Sequence, residues 1–409
     1  MKILLLHDYG TATGGAELQI LSLRQDLLNR GHQVRLLSSR AIPVEGYPQL
    51  ADHTCFGANS KLRVLAQTAN PSAYWQLYRV LREFQPDIVH IRIFLTQLSP
   101  LILPLLQEIP CIYQTALYTA ICPVGTNVLP DRSPCRSSPG RVCLSSGCLT
   151  WKAWAALMLQ QHLWQRWRPA IDRIVALSHA MKAELEQAGL GPIEVIHNGV
   201  PQRSQRPPLT HPPTVAYAGR LVPEKGIHVL IKAFAIAKTH APQARLLIAG
   251  QGNAESELQA LSAELGVSDS ITWLGHLSRS ALEHQFDQAW VQVMSSLWAE
   301  PFGNVTTEAM MRGTAVIASA VGAQPEIVTH EETGFLVPPG DVDALAACLT
   351  RLLLNQELAE TMGNAGRARA LESFSEDRRT DQFIALYQLV REQYSARPMP
   401  TSYPEVSSL

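Results

Sequence analysis

Short apolar runs alternate with helical stretches along the whole chain, and the alternation starts afresh near its middle. The first set is KILLLHDY (2–9), QVRLLSS (33–39), DIVHIRIF (87–94), CIYQTAL (111–117), RIVALS (173–178) and IEVIHNGV (193–200). Helical patterns lie between them, including AYWQLYRVLREF (73–84) and a stretch near 97–107. Near-continuous apolar runs mark strands covered on both faces, and strand–helix alternation builds parallel sheets. PQRSQRPPLTHPP (201–213) is proline-rich and without periodicity, so it reads as a linker. The pattern then restarts with TVAYAGRL (214–221), ARLLIAG (244–250), ITWLG (271–275), VQVMSS (291–296), AVIASA (315–320) and GFLV (334–337). A chain of 409 residues exceeds what one core usually holds. Two doubly wound α/β domains are therefore expected, over 1–200 and 214–372. An amphipathic helix is expected over 373–394, and a flexible Pro/Ser-rich tail over 395–409.

The formal net charge of -1 offers no global electrostatic case for a nucleic-acid partner. The opening MKILLLHDYG breaks at His7-Asp8 and reads as a buried strand, not a signal peptide. IFLTQLSPLILPLL (93–106) is too short for a membrane span and carries Pro100 and Pro104. A cytoplasmic protein is expected, with membrane association left open. LTWKAWAALMLQQHLWQRWRP (149–169) bears on that point. It holds Trp151, Trp154, Trp164 and Trp167 with Lys152, Arg166 and Arg168, which suits a membrane interface or core packing equally.

The chemistry concentrates in WAEPFGNVTTEAMMRG (298–313). Glu300 and Glu308 bracket a Pro-Phe-Gly-Asn turn that opens a helix, with Asn304, Thr306 and Thr307 at its start and Gly313 at its end. Free N–H groups at a helix start attract an anion such as a phosphate. Two carboxylates flanking that anion can accept hydroxyl hydrogen bonds, and a phosphate between two hydroxyl-rich groups describes a nucleotide sugar. An acidic helix start that only steadies the dipole is the plainer reading of either Glu alone. Arg220 and Lys225 in AGRLVPEKG can clamp a diphosphate and offset charge on a departing nucleoside diphosphate. Gly14-Gly15 follows the first strand, and Gly250-Gln251-Gly252 follows ARLLIAG. Both turns let backbone approach a ligand, although such glycines also serve packing. The first does not satisfy the G-x-G-x-x-G fingerprint of nicotinamide enzymes.

Together these residues resemble glycosyltransferase family 4 (glycosyl transferases group 1), the retaining enzymes with the GT-B fold. The likeness runs over about 190–375 and 1–120 and fades through a cysteine-bearing insert. It implies two Rossmann-like domains facing a cleft, with a C-terminal helix crossing back to the first. It implies Glu300 on the donor sugar and Glu308 on the ribose hydroxyls. Arg220 and Lys225 would hold the diphosphate, and Gly250 and Gly252 would adjoin the nucleotide. Backbone amides of Phe302, Gly303 and Asn304 would face sugar and phosphate, and Gly14 and Gly15 would shape the acceptor side. No cofactor is implied for catalysis. The partners implied are a UDP- or GDP-sugar donor and a saccharide or lipid-linked acceptor, in cell-surface polysaccharide or glycolipid synthesis. One departure stands out. Relatives carry a His, often His-Asp, where YQTALYTAICP (113–123) places Ala116 and Leu117. His90 and Arg92, on the preceding strand, are the candidate substitutes. The departure keeps a second reading alive, a non-catalytic partner subunit or saccharide-binding protein.

Cys122, Cys135, Cys143 and Cys148 fall in the Pro-, Ser- and Gly-rich insert ICPVGTNVLPDRSPCRSSPGRVCLSSGCLT. Four thiolates could hold structural zinc or an iron–sulfur cluster, remain reduced thiols, or form redox-labile pairs.

Overall fold

The computed structural model describes residues 1–44, 46–59, 63–131 and 133–396. The strands form two parallel sheets. The first holds β1 (Lys2–Tyr9), β2 (Gln33–Ser39), β3 (His53–Cys55), β4 (Ile88–Ile91), β5 (Cys111–Gln114), β6 (Arg173–Ala176) and β7 (Ile193–Val195). Its order is β3-β2-β1-β4-β5-β6-β7. The second holds β8 (Thr214–Ala218), β9 (Arg245–Ala249), β10 (Ile271–Gly275), β11 (Val291–Met294), β12 (Ala315–Ser319) and β13 (Phe335–Val337), ordered β10-β9-β8-β11-β12-β13.

Burial explains why the strands read as unbroken apolar runs. Ile3, Leu4, Leu5 and Leu6 are all fully buried. Leu4 and Leu6 pack with Val89 and Tyr113 on one face, while Ile3 and Leu5 pack with Ile20 and Leu23 on the other. Strand pairing sets Ile3 between Val34 and Ile88, so β1 is an interior strand of its sheet.

Several strands stop short of their apolar runs. β4 ends at Ile91 because Asp8 gathers the next turn, accepting N–H bonds from Thr96, Gln97 and Leu98 at 2.8–2.9 Å. The helix expected near 97–107 is a 3-10 helix over Pro100–Leu106, since Pro104 inside it has no N–H to donate. β3 carries too few residues to show a period and was invisible in the sequence; it pairs through Leu37↔His53. LTWKAWAALMLQQHLWQRWRP contains a helix, Trp151–Trp167, capped by Thr150.

The chain finishes with helices Gln356–Ser373 and Glu376–Ser395, the latter starting on a Ser375 cap. This last helix packs on the first domain, where Phe383, Leu386, Tyr387 and Val390 join Ile3, Leu5 and Ile20 in one core. Residues 397–409, within the segment read as flexible, lie outside the described residues. Among the described residues, no helix is long and apolar enough to cross a membrane.

In each sheet the order reverses beside the first strand, at β1/β4 and at β8/β11. Ligands of open α/β sheets bind beyond the carboxyl ends of the strands at such a switch. Gly14-Gly15 follows β1 and Arg92 follows β4, whereas Arg220 follows β8 and Glu300 follows β11. Topology thus carries residues far apart in the chain to two facing edges.

Candidate functional site

The helix Asn304–Met311 opens at Gly303, and its first residue faces the first domain. Asn198, in the turn after β7, donates from Nδ2 to Asn304 Oδ1 at 3.0 Å. A Cβ built on Gly15 would lie 3.0 Å from Asn304 Nδ2, so glycine there admits the second domain. Gly14 is the N-cap of the helix Gly15–Asn29 and has extended backbone.

A cavity of about 310 Å³ lies between the domains. Gly15, Arg92 and Ala116 of the first domain line it with Lys225, Glu300 and Asn304 of the second, and Phe302 completes one wall. Lys225 Nζ stands 2.8 Å from Glu300 Oε1, and the Ser296 hydroxyl donates to the same carboxylate. Both charged side chains are about seven-eighths buried, at 14% and 12% exposure. Gly226 holds Lys225 in place. Its φ is 66°, and an added Cβ would lie 2.0 Å from the Ser295 carbonyl oxygen.

A neighbouring cavity of about 400 Å³ shares Gly15 and Asn304 and adds Glu308 and Arg279. Glu308 accepts a hydrogen bond from the Arg279 guanidinium. Burial pushes its carboxyl above the ordinary range, while the charges of Arg279 and Arg203 pull the other way. Arg203 pairs with Glu283 at 3.1 Å and Arg312 pairs with Asp287, so charged pairs surround this end of the cleft.

The remaining expected residues lie nearby but outside these cavities. Arg220 is two-thirds exposed and sits 3.8 Å from Glu224, its plain surface partner. Gly250 and Gly252 serve close backbone approach. A Cβ on Gly250 (φ 140°) would lie 1.8 Å from the Gly219 carbonyl oxygen, and one on Gly252 would lie 2.1 Å from that of Leu221. The Gly250-Gln251-Gly252 turn is thereby pressed against the Arg220 turn, joined by Leu221 N–H to Gln251 O at 2.9 Å. Gly250→Ala is expected to cost roughly 2–4 kcal/mol from strain and overlap. A fall in thermal midpoint of less than one degree would contradict this packing argument.

Phe302 is buried and stacks near His197 and Phe374, with ring centroids at 5.7 and 5.9 Å. Gly303 abuts Gln324, whose Nε2 would lie 2.3 Å from an added Cβ. Glu326 spans the domains. It accepts from the His179 and Ala180 N–H groups, both at 2.8 Å, and lies 3.2 Å from His197 Nε2. Burial raises its carboxyl, but these bonds outweigh burial and leave it below the usual range.

His90 does not substitute at the cleft. It is fully buried, and its Nδ1 lies 2.7 Å from the Tyr387 hydroxyl on the last helix. Arg92, in contrast, lines the cavity beside Ala116. Sequence reasoning missed Asn198 and Arg279. Each stands just beyond the carboxyl end of a strand, and that position was the signal available.

The four cysteines of the insert, Cys122, Cys135, Cys143 and Cys148, are all unbridged thiols in this structure. The Cys148 thiol is raised by burial first, then by Cys143, Cys122 and Cys135. Among the described residues, however, no group of three or more His, Cys, Asp or Glu side chains is placed to hold a metal ion. The tryptophans divide: Trp164 is buried in the core, Trp154 donates to Gly140 O at 2.8 Å, and Trp151 is 67% exposed.

Comparison with known proteins gives this arrangement a family. The model for Glycosyltransferase Family 4 matches residues 13–203, and that for Glycosyl transferases group 1 matches 201–369. A Mycobacterium tuberculosis glycogen synthase is 32% identical over 227 residues, 54% of this chain and 55% of that protein. The chain spans about half the length of the curated relatives it matches. Among solved structures, sucrose-phosphate synthase from Thermosynechococcus elongatus has a TM-score of 0.72 at 24% identity, covering 97% of this chain and all of that one. Anabaena HepE in complex with UDP and glucose has a TM-score of 0.68 at 20% identity, covering 95% of this chain and all of that one. Consecutive matches running from residue 13 to residue 369, on a pair of facing parallel sheets, place the chain in glycosyltransferase family 4, with the GT-B fold.

Proposed function

We propose that the chain is a retaining glycosyltransferase that moves a hexose-type sugar from a UDP- or GDP-sugar to a saccharide or glycolipid acceptor. The observation that carries this reading is one cavity walled by both domains, in which Lys225, Glu300 and the start of a helix meet Gly15. The donor diphosphate lies against that helix start, where N–H groups and the dipole favour an anion. Lys225 offsets the charge that develops as the C1–O bond to the diphosphate breaks, and Arg220 swings in from the surface to assist. Glu300 accepts a hydroxyl hydrogen bond from the donor sugar. Glu308 exchanges Arg279 for the ribose hydroxyls, and Gly250 and Gly252 fix the turn beside the nucleotide. The acceptor hydroxyl adds on the face the diphosphate leaves, and its proton passes to the departing phosphate oxygen. The relatives' names support sugar transfer, and the UDP and glucose bound by HepE support a nucleotide-sugar donor. The exposed Trp151 beside Lys152 supports an acceptor presented at a membrane surface.

One observation favours a second reading, a non-catalytic saccharide-binding subunit: Ala116 gives the cavity no imidazole. A thermal-shift panel of UDP, GDP, ADP and their sugars, on wild type and Glu308→Ala, tests the donor site. A selective rise with one base that the variant loses is expected. A flat response to every nucleotide would end the donor-site reading. Slow release of nucleoside diphosphate from the selected donor then separates enzyme from binding subunit.

A further inference from the structure

The cavity between the domains carries one charge that its walls leave unmatched. Arg92 is 1% exposed and lines the cavity with Glu300 and Lys225. Its Nη1 donates to Gln114 Oε1 and its Nη2 donates to Asn198 Oδ1 at 3.2 Å, both neutral amide oxygens. Its Nε is buried without a partner. Among the described residues Arg92 forms no ion pair, and Glu300 is paired instead with Lys225 at 2.8 Å. The carboxylate that acts on Arg92 through space is Glu17, which makes no contact with it. Burial, with repulsion from Arg379, brings the guanidinium down to about 9, so it remains charged at neutral pH.

Buried charges are costly and are normally paired. A buried guanidinium held only by amides, with an idle N–H, is therefore set up for an anion that arrives with a ligand. Its fork matches a carboxylate through two parallel hydrogen bonds. The neighbouring wall is Ala116 and Leu117, which places no polar side chain in competition. Glu300, on the other domain, faces the same cavity and suits sugar hydroxyls.

Building on the proposed donor site, we infer that Arg92 receives the carboxylate of an acidic sugar, so that the transferred unit is a uronic acid. Arg92 then sets which donor is taken, and the unmatched charge is neutralised only when that donor binds.

Calorimetric affinities test this. The probes are UDP, UDP-glucose and UDP-glucuronate, with GDP, GDP-mannose and GDP-mannuronate alongside, on wild type, Arg92→Gln and Arg92→Lys. Wild type is expected to prefer the uronate over the neutral sugar by about tenfold or more, the size of a charge-assisted hydrogen bond to a buried group. Arg92→Gln abolishes that preference and leaves the bare nucleotide unaffected, while Arg92→Lys, lacking the fork, retains part of it. Wild type that binds nucleotide yet shows no preference would overturn the inference and leave the donor site standing, whether or not the variants fold. Equal weakening of nucleotide and both sugars in a folded Arg92→Gln would assign Arg92 to the diphosphate and overturn it as well. Absence of any nucleotide binding would remove the donor site and this inference together.

Discussion

Lys225→Ala is expected to lower kcat/KM for the nucleotide-sugar donor by about 10²–10³-fold, with most of the loss in kcat. The side chain is held in place before any ligand arrives. Gly226 turns the chain through φ 66°, the Ser295 hydroxyl donates to Lys225 O at 3.0 Å, and Leu297 N–H bonds Glu224 O at 2.9 Å. The ammonium therefore needs no search to meet the charge that grows on the leaving diphosphate, and fixed charge in a water-poor cavity is where such stabilisation is largest. Glu300→Gln should act differently. It removes an acceptor for sugar hydroxyls and frees Lys225 from its 2.8 Å partner, so KM rises with kcat. Because the two side chains touch, the double variant should lose less than the product of the single losses. Turnover of Lys225→Ala within about threefold of wild type would remove Lys225 from the proposed mechanism.

Much of this architecture could be read from residues, and the exceptions have physical causes. The bounds read from the sequence hold for β1, β2 and β10, and β8 and β12 are buried along their whole length, as parallel strands covered on both faces should be. β3 is too short to carry a period, and only its pairing with Leu37, Ser38 and Ser39 defines it. The elements around Glu300 and Glu308 were visible because one helix start displays both acids in one motif. Arg279 was not, since nothing local says that an exposed-looking Arg beyond β10 folds back onto a carboxylate twenty-nine positions on. His90 and Arg92 illustrate the same limit within one strand end. Both are basic and buried, yet one bonds Tyr387 of the last helix and the other lines the cleft, and the partner chosen depends on packing from residues far along the chain. Four cysteines in one insert were conspicuous, but a loop rich in Pro, Ser and Gly does not dictate which thiols meet.

Phe383→Ala is expected to destabilise the first domain by about 3–5 kcal/mol, a cost typical of emptying a large aromatic from a closed core. Phe383 is fully buried, with its ring centroid 4.8 Å from that of His90 and 5.9 Å from that of Tyr387. It follows the second domain in sequence yet completes the core beneath β1 and β4 of the first. Arg379, one turn earlier, anchors the same helix, donating to Asp26 Oδ2 at 2.8 Å and Gln19 Oε1 at 3.0 Å. Burial lowers that guanidinium, and Glu376 and Asp26 act in the opposite direction, so the pairing depends on the helix staying seated. A cavity at Phe383 loosens this seat and with it the spacing between Gly15 and Asn304 across the cleft. Urea unfolding should therefore show a lower midpoint for the first domain, and donor affinity should fall even though Phe383 lies outside the cleft. Phe383→Leu, which refills most of the volume, should recover more than half of the lost stability. A loss below about 1 kcal/mol for Phe383→Ala would mean that the helix is not part of the core it covers.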